Sequence, residues 1–125
     1  MTKPLSKREK EIMDILWNSS TPLTASEIIS QNNELKMPTV QAVLKKLLNE
    51  NFVVVADIGY SGTVLSRRYK AIITADEYAN TQYASLSKSL STTQLFSALL
   101  GSTKPSLEEI TEIEKILSDY TDSIK

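Results

Sequence analysis

The sequence predicts a mainly α protein with one small β-hairpin, followed by a second helical segment. Three observations predict it. Ser or Thr stands three residues before Glu at Ser6/Glu9, Thr24/Glu27, Thr74/Glu77 and Ser106/Glu109, the spacing of a capping box at a helix start. A single β-branched run, Phe52-Val53-Val54-Val55, is followed by Gly59-Tyr60-Ser61-Gly62 and Thr63-Val64-Leu65, which reads as two strands around a loop. Charge divides the chain as well: residues 1–73 hold ten Lys/Arg and seven Asp/Glu, residues 74–125 four and eight.

The first helix follows Ser6 and presents Ile12, Met13, Ile15, Leu16 and Trp17 to a core, ending near Asn18. Ser19 to Pro22 make a turn. Thr24 and Glu27 then open a short helix over Ala25 to Gln31, with Leu23 and Ile28 placed for a hydrophobic staple. Asn32 and Asn33 break the pattern, and Pro38 suits the first turn of a third helix that runs towards Glu50. At about 100° per residue, its residues Val40, Val43, Leu44, Leu47 and Leu48 form one apolar stripe. The opposite face carries Gln41, Ala42, Lys45, Lys46 and Asn49, with Thr39 on its flank and no carboxylate before Glu50. Small residues allow close approach to a duplex, Thr and Gln can bond base edges, and lysines meet phosphates. A plain solvated helix face is the alternative at this point.

The hairpin that follows returns through Arg67, Arg68 and Lys70 beside Tyr69. Such a cationic ribbon can reach adjacent phosphates or a minor groove, or can be an edge strand protected by charge. Three helices and a hairpin make a winged helix-turn-helix, expected over residues 1–73.

Residues 74–125 are expected to be a helical dimerisation domain. A helix is predicted from Ala75 to about Leu90, an interruption at Ser91 to Thr93, and a short apolar helix from Gln94 to Leu100 containing Leu95, Phe96, Leu99 and Leu100. Gly101 and Pro105 bracket a loop before the last helix. There Ile110, Ile113, Leu117, Tyr120 and Ile124 alternate spacings of three and four, as in a two-helix seam. An amphipathic helix packed on its own domain has the same pattern. A second copy of the chain would cover these faces.

Composition narrows the function. The 125 residues contain no Cys and no His, so disulfides, thiolate metal sites and the commonest general base are absent. No catalytic residue, metal site or cofactor is expected. The N-terminal MTKPLSKREKE lacks a signal-peptide core, and no stretch reaches the ~20 apolar residues of a membrane span. A cytoplasmic protein without direct membrane insertion is the expectation.

Taken in order, Leu5-Ser6, Glu9, Ile12-Met13-Asp14-Ile15-Leu16-Trp17, Thr39-Val40-Gln41-Ala42-Val43-Leu44-Lys45-Lys46-Leu47, and Arg68-Tyr69 leading into Thr74, Glu77 and Tyr78 resemble the penicillinase-repressor family of winged-helix transcriptional regulators. The resemblance implies a homodimer that binds an inverted-repeat operator on double-stranded DNA. By position it implies that Thr39, Gln41, Ala42 and Lys45 face bases, and that Lys36, Lys46, Arg67 and Arg68 face the DNA backbone. Leu95, Phe96, Leu99, Ile110, Ile113, Leu117 and Tyr120 fall in the dimerisation segment. Two departures stand out: Gln41 and Lys46 occupy third-helix positions where relatives often have arginine, and Glu50-Asn51 replaces a common Lys-Gly turn. β-Lactam-responsive relatives are released by a membrane sensor-protease that cuts in the dimerisation region. The comparable stretch here, Leu95 to Leu100, lacks the Asn-Phe pair expected at such a cut. Copper-responsive relatives use a cysteine-rich tail, and with no cysteine among these 125 residues that route is not expected. The alternatives are a winged-helix module that binds protein rather than DNA, or a ligand-sensing regulator whose pocket uses Trp17 and the tyrosines.

Overall fold

In the computed structural model, which describes residues 3–125, helix α1 spans Lys7–Trp17 and is capped reciprocally by Ser6 and Glu9. Helix α2 (Ala25–Gln31) opens with the same device at Thr24 and Glu27. Each box satisfies N–H groups that the first turn leaves without intrahelical partners. Helix α3 (Met37–Asn49) carries Pro38 in its first turn. It ends through Asn51, whose φ of 63° is left-handed; asparagine is among the few non-glycine residues that tolerate this conformation.

These helices enclose one core. Ile12 and Met13 of α1, Ile28 of α2 and Val40, Leu44 and Leu47 of α3 are all buried, and Phe52 and Val53 close it from the chain beyond α3. Burying each such side chain contributes roughly 1.5–3 kcal/mol, far more than helix propensity supplies. The core therefore decides which face of α3 looks outward.

Strands β1 (Val53–Ser61) and β2 (Val64–Ala71) form an antiparallel ribbon. The loop expected at Gly59–Gly62 is shorter in fact. Gly59 and Tyr60 pair with Ser66 and Leu65, leaving only Gly62 and Thr63 to turn the chain. Gly62, at φ +67°, supplies the positive φ that a two-residue hairpin turn needs. On its other edge β2 is bridged by Leu23, with Leu23 N–H to Tyr69 O at 3.0 Å and Tyr69 N–H to Leu23 O at 2.7 Å. The wing is thereby tied to the residue preceding the α2 cap.

Helix α4 (Ala75–Leu86) begins at the Thr74/Glu77 box. It stops before the expected Leu90, in a serine-rich stretch where the Ser87 hydroxyl bonds back to the Ala84 carbonyl at 2.7 Å and competes with the helical ladder. Its Tyr78 packs against the core. The Tyr78 ring lies 5.7 Å from Trp17 and 6.4 Å from Phe52, and its hydroxyl accepts the Leu5 N–H at 2.8 Å. The first compact unit accordingly reaches Tyr83.

The second unit, Ala84–Lys125, contains α5 (Thr92–Thr103) and α6 (Leu107–Ser123). Ser91 caps α5 in a box with Gln94 rather than interrupting a helix, so α5 begins two residues before the expected Gln94 and continues past Gly101. It closes at Lys104, which is left-handed at φ 46°. Ser106 caps α6 by accepting the Glu109 N–H at 3.2 Å, half of the expected box. No residue of α5 or α6 is buried. Among the described residues, no helix is long and apolar enough to cross a membrane.

Candidate nucleic-acid interface

With Val40, Leu44 and Leu47 at 0–1% exposure, the helical period turns Thr39, Gln41, Ala42 and Lys45 outward, and all four are exposed. Helices α1, α2, α4, α5 and α6 open on a Ser or Thr hydroxyl that accepts a backbone N–H. Helix α3 instead opens on Lys36 with no side-chain cap. Pro38 has no N–H to offer, so the donors of this first turn are those of Met37 and Thr39, at an end that the peptide dipoles make positive.

The wing and α3 meet at a cleft of about 220 Å³ lined by Ala25, Ser26, Met37, Gln41, Ser66, Arg67 and Tyr69. The fold thus brings Gln41, a base-facing candidate, together with Arg67, a backbone candidate.

The four backbone candidates divide into two pairs. Among the described residues, Lys36 and Arg67 make no ion pair, and neither does Lys45. Arg68 is held in a two-pronged pair with Asp57, Nε to Oδ1 at 2.6 Å and Nη2 to Oδ2 at 2.9 Å. A β-bulge sets this partnership. Continuing the Val55–Tyr69 register would place Asp57 opposite Arg67, but the extra residue Ala56 shifts Asp57 onto Arg68. The bulge gives Arg68 the carboxylate that an uninterrupted register would have set opposite Arg67. Gly59 leaves the room this needs, since a Cβ there would stand 2.8 Å from Arg68 Nε.

Lys46, exposed on α3, has its ammonium 3.3 Å from Glu9 Oε2. Glu9 is 2% exposed and gives its other oxygen to the Ser6 N–H at 2.8 Å. Lys3 stands 3.7 Å from the same carboxylate and 3.0 Å from Glu50. From the sequence, Glu9 is legible only as a capping residue. Nothing in its local spacing reveals that the fold buries it beside a lysine on another helix.

Burial pushes the Glu9 carboxyl up, but the Ser6 N–H and hydroxyl, then Lys46 and Lys3, pull it down further, so its net shift is below the usual carboxylate value. A carboxyl depressed in the folded state stabilises the fold above its unfolded pKa and loses that contribution as pH falls through the lower, folded value. Below about pH 4 the wild type should therefore lose stability more steeply than Glu9→Gln. Urea midpoints from pH 7 to pH 3 check this; parallel curves for the two proteins would contradict it.

Trp17 packs against the core and also borders an open cleft with Tyr78 and Tyr83. Its indole N–H donates to the Ile73 carbonyl at 2.8 Å and its ring meets Tyr78, which closes the core and anchors the start of α4.

Comparison with known proteins gives the architecture a lineage. The family described as Penicillinase repressor matches residues 5–119. No curated protein matches the chain. Among solved structures, a mutant MepR from a multidrug-resistant S. aureus clinical isolate is similar at 14% identity with a TM-score of 0.51, covering 97% of this chain and 80% of that one. Staphylococcus aureus MarR in complex with salicylate and kanamycin is similar at 15% identity and a TM-score of 0.49, covering 96% and 73%. PerR from Streptococcus pyogenes, described with peroxide sensing and gene regulation, aligns at 20% identity and a TM-score of 0.42 over 55% of this chain, which spans about half of that protein, 48%. At such identities the MepR likeness supports the fold alone. The family match, which extends from the first capping segment into α6, settles the lineage: this chain is a winged-helix transcriptional regulator that belongs to the penicillinase repressor family.

Proposed function

We propose that the protein is a cytoplasmic, homodimeric repressor that binds an inverted-repeat operator. Residues 1–73 contact DNA and residues 74–125 join the two copies. The observation that carries the reading is the outward face of α3. The core fixes its orientation, its N-terminus is uncapped, and Lys36, Lys45 and Arg67 stand around it without internal ion-pair partners among the described residues. Thr39, Gln41, Ala42 and Lys45 read base edges, while Lys36 and Arg67 grip phosphates. Arg68 shares its charge with Asp57 and contributes to the backbone contact through that pair.

Dimerisation is supported by the apolar surface of the second unit. Ile116, Leu117, Tyr120 and Ile124 are 50–67% exposed, and a cleft of about 350 Å³ between α5 and α6 is lined by Phe96, Leu100 and Leu117. Release by a sensor-protease cutting within residues 95–100 is part of the proposal on family grounds. The segment lies inside α5, so the protease must unwind it. Mass spectrometry after co-expression with such a protease tests this, and an intact chain would count against it.

The defining experiment selects bound duplexes from a random pool. An inverted repeat with half-sites about one helical turn, ~34 Å, apart is expected. Thr39→Ala and Gln41→Ala should then relax preference at single base positions by about 1–3 kcal/mol. Enrichment of no common sequence would refute the reading.

A further inference from the structure

We propose that Glu9 is an internal counter-anion that withholds Lys46 from DNA phosphates and so limits sequence-independent binding. This rests on the DNA-binding reading above. Lys46 belongs to the exposed side of α3, yet its Nζ sits 3.3 Å from Glu9 Oε2. That oxygen is the buried side-chain atom, among the described residues, left without a hydrogen bond. The Lys46 contact is close enough for an ion pair but is not aligned as a hydrogen bond. With Oε1 committed to the Ser6 N–H and the side chain only 3% exposed, water cannot compensate the charge on Oε2.

Lys3 is a poor substitute for Lys46. It is farther away, at 3.7 Å, and it is also engaged at 3.0 Å by Glu50. Moving Lys46 onto a phosphate would leave a buried carboxylate with one distant, divided partner, and an uncompensated buried charge is strongly disfavoured. Among the described residues, Lys36 and Arg67 have no ion pair that would compete in this way. Sequence-independent affinity follows the number of cations free to displace counterions. Holding one lysine of the reading helix inside the fold therefore raises the ratio of specific to non-specific binding.

The test is a salt titration of binding by the full chain, on an operator selected from a random pool and on a random-sequence duplex. Gln at position 9 keeps the acceptor that caps α1 and removes only the charge. Glu9→Gln should steepen the dependence of log K on log salt by about 1.8 per dimer, and tighten random-sequence binding about tenfold or more near 0.15 M salt. Lys46→Ala should leave the slope as in the wild type, whereas Arg67→Ala should flatten it by about 1.8. The Glu9→Gln/Lys46→Ala double variant should return to the wild-type slope. A role confined to pinning α1 against α3 would change melting temperature without moving these slopes.

The proposal is overturned if Lys46→Ala flattens the slope as much as Arg67→Ala, or if folded Glu9→Gln leaves slope and random-sequence affinity unchanged. Should Glu9→Gln not fold by circular dichroism, the comparison of Lys46→Ala with Arg67→Ala decides the matter. A wild-type protein that retains neither duplex overturns the DNA-binding reading itself, together with this one.

Discussion

Replacing Lys36 and Arg67 together by alanine is expected to lower operator affinity on the order of 10²–10³-fold at 0.15 M salt, and to flatten the salt slope by about 3.6. Two cations per protomer make four per dimer, and each neutralised phosphate contributes about 0.9 to the slope. Neither side chain has an internal ion pair among the described residues, and neither is buried. The fold should therefore survive the change, and melting temperature should move little. Fluorescence titration across a salt series measures the effect. A slope that stays put would mean that the phosphates are gripped elsewhere.

The second large effect concerns assembly. Changing Leu117 and Tyr120 to aspartate places charge on an α6 face that is 50–65% exposed in the single chain. The second unit has no buried residue in α5 or α6, so its stability is expected to come from a partner copy. The variant should sediment as a monomer at micromolar concentration. Operator affinity should fall by about 10²–10⁴, the gain otherwise obtained from linking two half-site contacts. The winged-helix unit, whose core runs from Ile12 to Val53, should remain folded. A variant that stays dimeric would place the interface on another surface.

The first three helices were legible because their signals are local. Ser6/Glu9 and Thr24/Glu27 mark starts within four residues, and the stripe through Val40, Leu44 and Leu47 has the helical period. The outward face of α3, with Thr39, Gln41, Ala42 and Lys45, was readable for the same reason. Beyond Leu86 the local signals are weaker. Ser91 with Gln94 forms a box that the Ser/Thr-to-Glu pattern passed over, and Gly101 sits inside α5 where glycine suggested a break.

The pairing of the cations was not legible at all, because it depends on tertiary register. Lys46 and Glu9 are far apart in sequence and meet only once α1 packs beside α3. Which arginine of the wing is neutralised depends on one extra residue, Ala56, since a one-residue slip changes every partner across a ribbon. Sequence treated Lys36, Lys46, Arg67 and Arg68 as equivalent. Among the described residues, the structure separates two cations with ion-pair partners from two without.

In the proposed function two copies, joined through their C-terminal helices, present matched α3 faces to one duplex. The most direct measurement is the mass in solution of the complex between the full chain and an inverted-repeat duplex enriched from a random pool, followed from low to high salt. Two chains per duplex are expected, with the complex dissociating as salt rises while the free protein stays dimeric. A complex holding one chain per duplex, or no duplex retained even at low salt, would contradict it.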